Sequence, residues 1–150
     1  MTDDTCEFPL ENASNAEIDE LLTRARTIAI VGISAKPDRD SYKVAAYLQA
    51  AGYRIVPVNP GLDEVLGERA WPDLAAIPPD VAIDVVDVFR RPEHVPPVVE
   101  AAIARGAGAV WMQLGIANNA AAARAREAGL TVVMDRCIKV EHTRWAARRP

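Results

Sequence analysis

The stretch "TIAIVGISAKPDRDSYKVAAYL", Thr27 to Leu48, passes from an apolar run through a single glycine into a charged turn and then into a helical pattern. The opening "TIAIVGI" is continuous and rich in β-branched residues, as expected of a strand covered on both faces in a parallel sheet. Its expected place is central. From Ser41 to Ala51 the apolar positions Val44, Ala45, Tyr47 and Leu48 return with helical spacing, and Gly52 supplies a C-terminal glycine stop.

Outward from this unit the same alternation repeats. "YRIVPVNP" (Tyr53 to Pro60) reads as the second strand and is followed by a loop containing Gly61 and Gly67. "DVAIDVVDVF" (Asp80 to Phe89) gives a third strand, and "PEHVPPVVEAAIARG" a helix delayed by its prolines. "AGAVWMQLG", "NNAAAARAREAG" and "LTVVMD" add strand, helix and strand, and "VEHTRWAARRP" a last short helix with a basic end. Strands alternating with helices of about a dozen residues predict an α/β fold, a Rossmann-like doubly wound parallel sheet of about five strands in one domain. Ahead of it, "SNAEIDELLTRA" is a preface helix in which Ser14 and Glu17 form a capping box. The expected division is an N-terminal extension over 1–20, the sheet domain over 21–145 and a basic tail over 146–150.

The chain has 150 residues, half of them apolar and a quarter charged, with a formal net charge of −4. That balance suits one globular domain with a full core and gives no global field for nucleic acid. Cys6 and Cys137 form no C-x-x-C pair, and with only His94 and His142 a histidine metal site is not expected. No run reaches the length of a membrane span, and the acidic opening segment is unlike a secretory signal, so the expected location is cytoplasmic. A homodimer or a protein partner, for instance at Trp145 and the basic tail, is left open.

Ligands of open α/β sheets bind beyond the carboxyl ends of the strands, which directs attention to the residues after each apolar run. Gly32 gives the tight exit from the first strand, and the helix near Ser41 offers free N–H groups and a positive dipole end. Ser34, Lys36, Arg39 and Ser41 add donors. A lone glycine after a strand is also an ordinary turn, and the cations tip the reading toward phosphate. An NAD site would carry a second glycine and an acid at the second strand's end; here Ser34 and Asn59 stand instead, which makes an NAD(P)-binding oxidoreductase the alternative.

After the third strand Phe89 is followed by Arg90 and Arg91, whose planar forks suit phosphate or an adenine face, although Arg91 also fits a surface ion pair. His94 reads as an exposed structural residue. Cys137 follows the fifth strand on the same edge, either as a small buried hydrophobe or as a reactive thiol near Arg136 and Lys139. Asp84, Asp87 and Asp135 are candidates to orient donors. No catalytic triad order or metal motif is present, so no catalytic residue is assigned.

"VGISAKPDRDSYKVAAYLQAAGYRIVPVNP", "EVLGE", "DVVDVFRRPE", "VWMQLGI" and "VVMDRCIKVEH", in this order, resemble the small stand-alone CoA-binding proteins, relatives of the N-terminal domain of the succinyl-CoA synthetase α subunit. The likeness covers about Leu21 to Trp145. It implies coenzyme A or an acyl-CoA across the carboxyl edge of the sheet, with the pyrophosphate at Gly32, Ile33, Ser34, Lys36, Arg39, Ser41 and Tyr42. The nucleotide would pass Val58, Asn59 and Pro60 and the turn of Val88, Phe89 and Arg90. The pantetheine arm would run past Gln113, Leu114, Gly115 and Ile116 toward Cys137 and Lys139. The synthetase carries its phosphorylated histidine in a further domain that this sequence does not show. The resemblance therefore implies a non-catalytic carrier or sensor, with a thiol-redox CoA store through Cys137 as another alternative.

Overall fold

The computed structural model describes residues 7–149. The acidic opening segment through Cys6 and the final Pro150 of the basic tail lie outside the described residues. The first helix, α1 (Asn15–Arg24), begins at the expected capping box: the Glu17 amide donates to Ser14 Oγ at 3.1 Å, and the Ser14 amide donates to Glu17 Oε1 at 2.9 Å. It is not an appendage. The helix straddles the expected boundary at residue 21, its Ile18 and Leu22 are buried in the core, and the Tyr53 hydroxyl donates to the Leu22 carbonyl at 2.6 Å.

Five strands form the main sheet: β1 (Thr27–Val31), β2 (Arg54–Val58), β5 (Val85–Val88), β6 (Ala109–Met112) and β7 (Thr131–Val133). Their order is β2-β1-β5-β6-β7 and every pairing is parallel, with Ala29 opposite both Val56 and Val86. The first strand is therefore next to the centre of the sheet, and the chain reverses its direction of travel across the sheet between β1 and β5.

The helices that follow strands are α2 (Asp40–Ala50), α3 (Val95–Ala104), α4 (Asn119–Glu127) and α5 (Ile138–Arg148). Side chains alternate across the strands, so Ile28, Ile30, Ile55 and Trp111 pack with α1, α2 and α5, while Ala29, Val31, Val86 and Met112 pack with α3 and α4. The result is a sheet covered on both faces, which explains why its strands read as unbroken apolar runs. Alanines at 121, 122 and 125 let α4 lie close to the sheet.

The loop expected after the second strand has structure of its own. It holds a small antiparallel hairpin, β3 (Glu64–Val65) and β4 (Glu68–Arg69), turned by Leu66 at φ 55° and Gly67 at φ 75°. Both turn residues are left-handed, as a two-residue type I′ hairpin requires. Trp71 then bridges to Val58, donating its amide to the Pro57 carbonyl at 3.0 Å and accepting from the Asn59 amide at 2.8 Å. The third strand is shorter than its apolar run because Asp84 turns aside to accept from the amides of Arg26 and Thr27, both at 2.9 Å. That contact stands at the amino edge, opposite the expected site.

Candidate functional site

Gly32 leaves β1 at φ 89°, a conformation that L side chains rarely adopt, and donates its amide to the Val58 carbonyl at 2.9 Å. A Cβ at this position would collide with the Phe89 carbonyl oxygen, while the Arg90 side chain crosses over it at 3.4 Å. Glycine is thus required where β1 and β5 diverge. The turn beyond it is internally bonded: the Ser34 amide donates to Ser41 Oγ at 2.9 Å, and the Lys36 amide to Ser34 Oγ at 3.0 Å. Ser34 and Ser41 therefore shape the loop, and Ser41 is buried.

The start of α2 differs from the other helix starts. Ser14 caps α1 and Asn118 caps α4 through their side chains, Gln113 Oε1 accepts from the first amide of α5 at 3.1 Å, and the first turn of α3 has proline nitrogens at Pro96 and Pro97. Arg39 precedes α2 without any side-chain cap, so the positive end of that helix faces the carboxyl edge with donors to spare. Lys36 and Arg39 are exposed, Arg90 is half-buried, and among the described residues none of them forms an ion pair. Arg124, Arg126, Arg136, Arg144 and Arg148 each do. Asp38 and Asp40 offset the charge of Lys36 and Arg39 within the loop, so the excess positive charge at this point comes from Arg90 on the neighbouring strand.

Several expected site residues prove to serve the scaffold. Ile33, Val58 and Val88 have their side chains inside the core, which confines any ligand contact to their main chain. Asn59 stands where a dinucleotide site has its ribose acid, and its side-chain amide is engaged at both ends: Nδ2 donates to the Ile33 carbonyl at 2.7 Å and Oδ1 accepts from the Gly61 amide at 2.8 Å. It ties the end of β2 to the loop after β1. Tyr42 and Phe89 are half-buried against the α2 face of the core.

Beyond β2 the exposed Pro60 borders an open hollow of about 560 Å³ with Leu62, Arg69, Trp71 and Pro72. The Arg69 guanidinium stands 4.2 Å from the Trp71 ring centre, giving a flat aromatic and cationic wall suited to a planar base. The sequence reading missed Trp71 and Arg69 because both lie in what looked like loop; the "LG" turn between two short runs was the available signal.

At the opposite end of the edge, Gln113 is buried and spends its side-chain oxygen on the Ile138 amide. It fixes the start of α5 rather than presenting itself to solvent. Gly115, at φ 82°, donates its amide to Asp135 Oδ1 at 2.7 Å, and half-buried Ile116 donates its amide to the Gln113 carbonyl at 2.9 Å. Cys137 is a half-exposed free thiol at the residue preceding α5. Lys139 turns away from this end, its Nζ standing 5.5 Å from the Tyr47 ring centre.

Asp87 lies in β5 between Ile30 and Trp111, wholly buried, with neither carboxyl oxygen bonded among the described residues. Burial pushes its carboxyl well above the ordinary carboxylate range, which favours the neutral acid and keeps negative charge out of the sheet below the cations. Arg91 and His94 are exposed on the approach to α3. Among the described residues no group of three or more His, Cys, Asp or Glu is placed to hold a metal ion, and no helix is long and apolar enough to cross a membrane.

The chain is similar to known proteins over most of its length. Residues 26–143 match the family described as CoA binding domain. The uncharacterized protein YneT of Bacillus subtilis (strain 168) is 47% identical over 133 residues, covering 89% of this chain and 97% of that one. A hypothetical protein from Pyrococcus horikoshii OT3 is 41% identical with a TM-score of 0.86, covering 97% of this chain and 99% of its own. At 22% identity the dinucleotide-forming acetyl-coenzyme A synthetase 1 of Ca. Korarchaeum cryptofilum shares the fold over 75% of this chain and 26% of its own, with a TM-score of 0.65.

Proposed function

The chain belongs to the CoA binding domain family, and from that premise we propose that it binds coenzyme A or an acyl-CoA along the carboxyl edge of its sheet, as a carrier or sensor without turnover of its own. The observation that carries the reading is the uncapped start of α2 beside Lys36, Arg39 and Arg90, at the point where strand order reverses. The pyrophosphate lies on the α2 amides and the 3′-phosphate near Arg39 and Arg90. The base rests in the Trp71 hollow beyond Asn59 and Pro60. The pantetheine arm runs past Gly115 and Ile116 to Cys137. Each strand spacing is about 4.8 Å, so the path from β2 to β7 spans about 19 Å, a length that calls for an extended ligand.

Titration calorimetry of protein stripped of retained ligand tests this. CoA is expected to bind saturably, and Arg90→Ala to weaken it by roughly 10- to 150-fold, the worth of one charge-assisted contact. Absence of heat with both CoA and acetyl-CoA overturns the proposal. Thermal stabilisation by NAD(P)H with none by CoA transfers the site to a dinucleotide.

A second reading rests on Cys137, half-exposed where the path ends. Its thiolate attacks one sulfur of CoA disulfide, releasing CoA thiolate and leaving a protein–CoA mixed disulfide, so the chain stores CoA under oxidation. Mass spectrometry after exposure to CoA disulfide should show one CoA-sized adduct that Cys137→Ser removes. An adduct that survives the substitution ends this reading.

A further inference from the structure

The turns after β6 and β7 enclose an open hollow of about 400 Å³ at the end of the edge farthest from β2. Cys137 borders it, and Leu114 and Val140 line it while remaining 71% and 46% exposed. Leu114 is held outward by a tight turn, since the Ile116 amide closes on the Gln113 carbonyl at 2.9 Å and Gly115 is tied to Asp135. Leu114 and Val140 together give the hollow an apolar lip at its open side.

The charges of the hollow are already matched. Glu141, only 9% exposed, meets Arg136 at 3.7 Å and Arg144 at 3.3 Å, and Asp135 accepts from Gly115. Both arginines that line it are thus engaged. With Asp135 and Glu141 balancing Arg136 and Arg144, an entering carboxylate meets no net positive charge and is faced by two acids.

We propose that this hollow receives the acyl group of an acyl-CoA and selects an uncharged hydrocarbon chain over one ending in a carboxylate. The inference rests on the CoA reading above, because continuity with the pantetheine path through Gly115 and Cys137 brings the thioester to the hollow's border. Burying each methylene is worth about a fourfold gain in affinity when complete, and the open side of the hollow reduces it.

The test is calorimetry on the full chain with CoA, butyryl-CoA and succinyl-CoA, repeated on Val140→Asp and on Leu114→Asp, each confirmed folded by circular dichroism. Both positions are exposed, so at least one variant gives a folded comparison. Butyryl-CoA is expected to bind roughly tenfold tighter than CoA, succinyl-CoA no tighter than CoA, either variant to remove the butyryl gain, and Val140→Asp to hold CoA affinity within about twofold. Equal affinities for CoA and butyryl-CoA, tightest binding of succinyl-CoA, or a butyryl gain that survives both substitutions overturns the acyl assignment and leaves CoA binding standing. Failure of all three ligands to bind the unmodified chain overturns the CoA reading, and the acyl assignment with it.

Discussion

Asp87 and His142 are buried titrating groups with opposite demands on pH. Burial raises the Asp87 carboxyl above its ordinary value of 3.8, so the folded state keeps a proton that the unfolded chain has released. Its stability contribution is complete below 3.8 and is lost as pH rises toward the folded value. Urea unfolding of Asp87→Asn and the unmodified protein from about pH 4 to about pH 8 should show the variant gaining relative stability as pH rises. A difference that does not change with pH overturns the assignment. Burial lowers His142 below 6.5, where Tyr47 Oη bonds its Nδ1 at 2.8 Å and Tyr53 and Trp145 pack on its ring. Its contribution is present above 6.5 and is lost as pH falls through the folded value, so His142→Gln should flatten the acid side of the same profile. Gly32→Ala combines a left-handed backbone with a collision against main chain, and an expected loss of about 2–5 kcal/mol in denaturant unfolding follows.

At the scale of elements, α2 trades stability for an open end. Arg39→Ser supplies the missing side-chain acceptor and should raise unfolding free energy by about 1 kcal/mol while weakening CoA, two readouts that move in opposite directions. A variant that is no more stable, or that binds CoA as before, would show that the helix start is not held open for a ligand. The strands and helices were legible because a sheet buried on both faces writes long apolar runs and each helix has its own punctuation. The hairpin was not, since two-residue strands carry no period and Leu66 stands where the turn usually takes asparagine or glycine. The same limit applies to the site: the cations and Gly32 could be read directly, whereas the use of Asn59 and Gln113 as internal ties depends on partners 26 and 25 residues away.

At the scale of the whole molecule, the proposed position of the site rests on topology, because alternating strands and helices place every loop of interest on one edge. The role of the first described residues could not be read. Glu7 Oε1 accepts from the Asn119 amide at 2.9 Å, and Asn12 grips Met134, donating to its carbonyl and accepting from its amide, both at 2.9 Å. These contacts join residues more than a hundred positions apart and leave no local pattern. Asn12→Ala should cost about 1–3 kcal/mol in thermal or denaturant unfolding, since it removes the side chain on which both Met134 groups rely. An unchanged midpoint would place the segment outside the cooperative unit.

The Asn12 grip has a counterpart at the opposite border of the sheet, where Trp71 lies along the outer side of β2. At the carboxyl end of each lateral strand the chain itself thus satisfies backbone groups, those of Met134 after β7 and of Pro57 and Asn59 at β2, that would otherwise be free to recruit a strand from another molecule. Concentrated solutions should stay free of strand-to-strand polymer while both locks hold. Releasing the Asn12 lock opens the β7 side first, so loss of solubility on storage should begin there.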